Sequence, residues 1–139
     1  STMADGFTIS ATPFYLPSGA ASSLATFAGT TDDNGSNALM DYNATNGNLI
    51  VNGSNFRGIN QISLLQSDGT TVMGSVAVDP NAAPSGITVN AAGTQITMTQ
   101  AAIDAISATW LGTTSTARTL RVRSAASETK VTPTINVMK

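Results

Sequence analysis

Apolar and polar residues alternate in short runs along most of this chain, and turn-forming sequences interrupt the runs at close intervals. Ile62 and Leu64 share one face, as do Val72, Gly74, Val76 and Val78, then Ile96 and Met98, Leu120 and Val122, and finally Val131, Pro133, Ile135 and Val137. Thr, Ser, Gln and Arg occupy the positions between. A period of two with one apolar side predicts half-buried antiparallel strands. Nine are predicted: Gly6–Thr12, Leu24–Gly29, Asn48–Gly53, Gln61–Gln66, Thr70–Val78, Gly86–Asn90, Thr94–Thr99, Arg118–Ser124 and Lys130–Met138. The breaks read Asp33-Asn34-Gly35, Asn46-Gly47, Asn52-Gly53, Ser67-Asp68-Gly69, Asp79-Pro80-Asn81 and Pro84-Ser85-Gly86, all turn chemistry. Ser67-Asp68-Gly69, between Leu64-Leu65 and Val72-Met73, is the clearest hairpin. So many short strands at this spacing predict an all-β sandwich.

One segment has a different period. Ile103, Ile106 and Trp110 fall at i, i+3 and i+7 in an Ala-rich stretch opened by Thr99, a residue suited to an N-cap. A short helix near residues 100–110 is expected to lie across one end of the sandwich, with the single Trp turned inward. A Trp exposed as a platform for a sugar is the competing reading. Residues 12–17 are apolar but pinned by Pro13 and Pro17, which suits an edge or extended segment.

Composition narrows the function. The chain of 139 residues fits one domain, with 41% apolar and 10% charged residues. It has no His and no Cys, so the usual zinc ligands, thiol chemistry and the Ser-His-Asp triad are missing. Six basic against eight acidic residues leave no footprint for nucleic acid. No apolar run approaches the ~20 residues that cross a bilayer, so no membrane insertion is expected. Thr (21), Ser (15) and Asn (11) take the surface places that Lys and Glu more often fill, a composition common in secreted bacterial β-proteins. Asn34, Asn43 and Asn52 match the glycosylation sequon, as chance readily allows in so Asn-rich a chain.

The stretch Asn46 to Leu65 resembles the opening of IPT/TIG domains. It has an apolar strand (Leu49-Ile50-Val51), then Gly53-Ser54-Asn55-Phe56, then Gly58, then Ile62 and Leu64 in alternation. The resemblance extends loosely over residues 38–138, with Ile87–Val89 and Thr94–Thr99 as middle strands and Thr119–Ser124 with Val131–Val137 as a closing hairpin. It implies an immunoglobulin-like β-sandwich of the kind found in bacterial surface proteins, some enzymes and receptors, and as a dimerisation module in some transcription factors. Residues 1–37 have no counterpart in the family. They are expected to be an N-terminal extension, an added strand or the tail of a preceding module, ahead of a sandwich domain at 38–139. The motif also has a direct physical reading. Gly53 permits a positive φ or a close backbone approach, Asn55 can bond back to its own turn, Phe56 plugs the core, and Gly58 frees the chain to reverse. Gly53, Asn55, Phe56, Gly58 and Trp110 are therefore expected to define the fold.

Candidate chemistry is sparse. Asp32, Asn34 and Ser36 alternate as calcium ligands do, though the EF-hand pattern fails because Asn37 and Asn43 stand where Gly and Glu are needed. A solvated turn is the stronger expectation, with calcium the one cofactor worth a test. The remaining acids are scattered, and no pair is spaced for glycoside hydrolysis. Arg118, Arg121, Arg123 and Lys130 gather four of the six cations. Arg121 and Arg123 share a strand face, either as solvated guards of an edge or as an anion patch. Lys130 and Lys139 are poorly placed for a self-formed cross-link to Asn. No catalysis is expected. The leading expectation is a structural or spacer module of an extracellular or cell-surface bacterial protein, whose partners are neighbouring domains. A module binding carbohydrate or a protein ligand is one alternative. A self-assembling filament or virion-decoration subunit that uses strand addition is the other.

Overall fold

The computed structural model describes residues 25–33, 41–125 and 127–139. The predicted strand at Gly6–Thr12 and the proline-pinned segment at 12–17 lie outside the described residues. Among the described residues ten strands form two sheets. The first sheet contains β1 (Thr26–Thr31), β3 (Leu49–Ser54), β7 (Gln95–Met98) and β6 (Ile87–Val89), all antiparallel and in that order. The second runs β2 (Asp41–Asn43), β10 (Ile135–Met138), β8 (Thr116–Ser124), β4 (Ile59–Gln66) and β5 (Val72–Ala77). A further strand, β9 (Thr129–Val131), pairs with β8 ahead of β10. Only β2 and β10 run parallel. Taken in turn, β1, β3, β7 and β6 stand in the order of strands A, B, E and D of an immunoglobulin-like sandwich, and β4, β8 and β9–β10 serve as C, F and G. The all-β sandwich expected from the alternation is thus the fold.

The alternation has the expected consequence for packing. Leu49, Val51, Ile96 and Met98 from one sheet meet Ile62, Leu64, Leu120, Val122, Ile135 and Val137 from the other in one buried cluster. The Ser67-Asp68-Gly69 hairpin forms between β4 and β5. Gly69 adopts φ +74°, and the Gln66 N–H reaches the Thr71 carbonyl (2.9 Å). Asp68 ties the turn by accepting from the Thr70 and Thr71 N–H groups (2.9 Å each).

Two expectations about faces change. The closing strand is not continuous, because Pro133 has no N–H to give the ladder. Residues 132–134 leave it, and Thr132 spans the gap by donating its N–H to Leu120 O (2.9 Å) and accepting the Leu120 N–H at Oγ1 (3.0 Å). The phase shifts across this break. Val131 pairs with Arg121 and is half-buried, whereas Ile135 and Val137 enter the core. Similarly, an irregularity beside Leu64 and Leu65 pairs Val72 with Leu65 and leaves Val72 46% exposed. Val72 therefore leaves the face that Val76 and Val78 share.

The helix α1 (Gln100–Ile106) connects β7 to β8. Thr99 caps it, its Oγ1 accepting from the Ala102 N–H (3.0 Å), and Ile103 is fully buried. It ends four residues short of the predicted span because Ser107 takes an extended backbone. Trp110 therefore enters the core from a turn and not from a helix face.

Candidate functional site

The Gly53–Gly58 segment is the corner by which the chain passes from β3 in one sheet to β4 in the other. Gly53 is required by a close approach: a Cβ there would overlap the Thr26 carbonyl of β1 and come within 2.6 Å of Phe56 Cζ. Asn55 holds the left-handed region (φ 62°, ψ 26°), which Asn tolerates better than most residues. Its side chain makes no cap bond to the turn that follows, so backbone conformation and not side-chain capping is what the turn draws from it. Gly58 lies outside the positive-φ set, and its carbonyl accepts the Ala125 N–H (2.9 Å).

Phe56 is fully buried, 5.9 Å centroid to centroid from Phe27 on β1. The corner is pinned by the β6–β7 hairpin, where Gly53 N–H donates to Thr94 O and Phe56 N–H to Gly93 O (2.9 Å each). Arg57 completes it. Its guanidinium donates to Pro80 O (3.0 Å), Val89 O (3.2 Å) and Asn81 Oδ1, which ties the β5–β6 connection to the corner.

The opposite end of the sandwich is built on the same plan. Trp110 is fully buried and donates from Nε1 to Leu65 O (2.9 Å) at the end of β4. Arg118 fixes the turn that carries it, donating to Trp110 O (3.0 Å) and Thr109 O (3.3 Å). At this end Tyr42 is also buried, with its hydroxyl donating to Gly47 O (2.8 Å). Burial first, then the nearby Asp33, Asp32 and Asp104, push the Tyr42 phenol up to about 12.

Asp32 lies here too, fully buried, and its Oδ2 accepts from Asn46 Nδ2 (2.8 Å). Asp33 Oδ2 accepts the Asn48 N–H (2.9 Å). The other two residues of the calcium pattern, Asn34 and Ser36, lie outside the described residues. Among the described residues no three His, Cys, Asp or Glu side chains gather as a metal site.

The cations are spread over different tasks. Arg121 is half-buried along the outer side of its sheet. Its Nη2 donates to Ser63 Oγ (3.3 Å), which shares a hydrogen bond with Ser75 Oγ (2.7 Å). Arg123 is exposed and pairs across the ladder with Gln61 and Thr129. Lys130 is exposed, and Lys139 lies 3.5 Å from Asp104. Hollows open on the described surface. One of about 160 Å³ is lined by Val76, Pro84, Ile87, Ala102, Ala105 and Ile106, and one of about 190 Å³ by Asp41, Asn43, Ser115, Asn136 and Met138. No helix among the described residues is long and apolar enough to cross a membrane.

Sequence reasoning gave Arg57 and Tyr42 no structural role and counted Arg118 only among the clustered cations. Arg57 stood within the motif and could have been found there, since a lone cation between Phe and Gly in a corner needs carbonyl partners. Arg118 gave no local signal, because its partners lie eight and nine residues away around a turn. Comparison with family models, curated proteins and solved structures finds no match to this chain.

Proposed function

We propose that this chain is a non-catalytic structural module, an IPT/TIG-like spacer of an extracellular or cell-surface bacterial protein. The observation that carries the reading is where the residues best suited to recognition are spent. Phe56 and Trp110 are sealed in the core, and Arg57 and Arg118 give their donors to backbone carbonyls. The motif from Gly53 to Gly58 works as a corner between sheets. The surface, rich in hydroxyls and amides, suits the setting. A spacer must hold its shape between neighbours, and both ends of this sandwich are closed by an aromatic plug and an arginine tie.

The test is a glycan array together with calcium titration calorimetry on the full chain, alongside single-molecule pulling of tandem copies. The expected result is no saturable binding and one cooperative rupture per copy. Saturable binding of a glycan class would overturn the spacer reading.

A binding module is the second reading, and one observation favours it. Asp41, Asn43 and Asn136 line the 190 Å³ hollow beside β2 and β10, where carboxylate and amide groups match the donors and acceptors of sugar hydroxyls. If glycan binding is found, Asn136→Ala is expected to reduce it. Binding that is unchanged by this substitution counts against the hollow.

A further inference from the structure

We infer that the β5 edge is a self-association site, at which a second copy of this chain adds its own β5 antiparallel to the first. Among the described residues β5 ends the larger sheet, and the other edges are blunted. Strands β2, β6 and β9 have three residues each, and β1 is broken in its middle by a bulge between Phe27 and Gly29. Strand β5 has six residues, carries no charge and no proline, and its one irregularity lies at its start. Natural edges are usually protected by charge, proline, shortness or a bulge; β5 is twice the length of the three-residue edges, has no charge or proline, and is regular from Gly74 onward.

The ladder shows which groups are offered. Val78 N–H donates to Asn60 O (3.0 Å), and bonds alternate along an antiparallel pair. Val76 and Gly74 continue the contacts to β4, so Ser75 and Ala77 turn their N–H and C=O groups outward. Water can satisfy such a row, and it is also a ready template for another strand.

The charge pattern suits a second copy as that strand. Chain charges stop at Asp68 and resume at Asp79, so Gly69 to Val78 is neutral. An antiparallel pairing with its two-fold axis at Ser75 sets Asp79 against Thr71 and Asp68 against Ala82 of the second copy. No acid faces an acid. The same register places Ser75 opposite Ser75, and Val76 of each copy opposite Gly74 of the other. Val76 also lines the 160 Å³ groove between β5, β6 and α1, whose walls Pro84, Ile87, Ala105 and Ile106 present further apolar surface. The axis closes the assembly at two copies. A contact of this size falls below the ~1,200 Å² of a standard interface, so the dimer is of low affinity and depends on concentration. The site does not depend on the spacer reading, because an open edge pairs whatever the module holds apart.

The test is sedimentation equilibrium of the full chain from about 10 µM to about 1 mM, the range in which so small an interface associates. The expected weight-average mass rises from 14.1 kDa toward twice that value. Ser75→Pro removes one outward N–H and leaves the backbone bonds to β4 in place, at the loss of the Ser75 Oγ–Ser63 Oγ bond, and Ala77→Lys charges an exposed edge position. Each is expected to hold the mass at that of the monomer while the far-ultraviolet circular dichroism stays that of the parent. If Ser75→Pro does not fold, Ala77→Lys decides alone. A parent chain that stays monomeric throughout overturns the inference, as does an edge variant that folds and still dimerises. A mass growing past the dimer also overturns it, because an open-ended contact cannot lie on this axis.

Discussion

The two ends of the sandwich solve one problem with different materials. At the corner end Phe56 fills the gap between sheets and Arg57, the next residue, ties together acceptors on the β5–β6 connection and at the end of β6. At the helix end Trp110 fills the gap and Arg118, eight residues on, fixes its turn. The corner packs local pieces tightly. Gly53 is squeezed between β1 and the Phe56 ring, and the Gly53 and Phe56 amides are bonded to a single hairpin. The helix end is assembled from distant parts, with Trp110 bonded to a carbonyl 45 residues earlier. A corner made of consecutive residues leaves a readable motif; an end made by tertiary contact does not.

Removing the plugs breaks this comparison most severely. Phe56→Ala and Trp110→Ala are each expected to cost ~3–5 kcal/mol of unfolding free energy in urea melts. Trp110→Phe keeps much of the volume but leaves Leu65 O without its indole donor, for an expected cost of ~1–3 kcal/mol. If the phenylalanine variant matches the parent, the indole hydrogen bond carries no weight.

The helix end should also have a pH limit that the corner lacks. Tyr42 is held neutral with its phenol pushed up to about 12, above its ordinary value near 10. A group whose pKa is raised by folding contributes its full stability below the unfolded value and loses it as pH rises through the folded one. Unfolding free energy is therefore expected to fall between pH 10 and 12, by up to about 2–3 kcal/mol. Tyr42→Phe should flatten that fall, measured by urea melts across the range. An unchanged alkaline slope in the variant would remove Tyr42 as its cause.

Asn55 sharpens the corner side. Asn55→Ala forces a residue with Cβ and no local polar advantage into the left-handed region, at an expected cost of ~1 kcal/mol, while Asn55→Gly should be close to neutral. The smallest effect lies in the β4–β5 turn at the helix end, at Asp68. Donation from the Thr71 hydroxyl, then from the Thr71 and Thr70 N–H groups, lowers its carboxyl to about 2. A carbon-detected titration should find that midpoint, and Thr71→Val should raise it.

Much of the fold could be read because alternation and turn chemistry agree. The β4–β5 hairpin around Asp68-Gly69 formed as expected, and strands from Leu49 to Ser124 lie close to their predicted spans. Thr99 marked the start of α1. Its end was overestimated because Trp110 sits at a helical spacing that a turn at Ser107 interrupts. Pro133 carried the signal for splitting the last strand, but the apolar period running through it hid the change of face. Strand β2 was missed. It is three residues long and exists because Tyr42 is buried beside a parallel partner, which no local pattern reports. Of the candidate site residues, Phe56 and Trp110 lie in the core. Arg121 reaches Ser63 across the ladder, a contact that depends on register between strands 58 residues apart in sequence.

The most direct measurement is native-state hydrogen exchange at the corner. The Gly53 and Phe56 amides, bonded to Thr94 O and Gly93 O, are expected to exchange only through global unfolding, with protection equal to that of Ile62 and Leu64 in the central strand β4. Exchange of the Phe56 amide at the rate of an open loop, while β4 stays protected, would contradict a corner that locks the two sheets together.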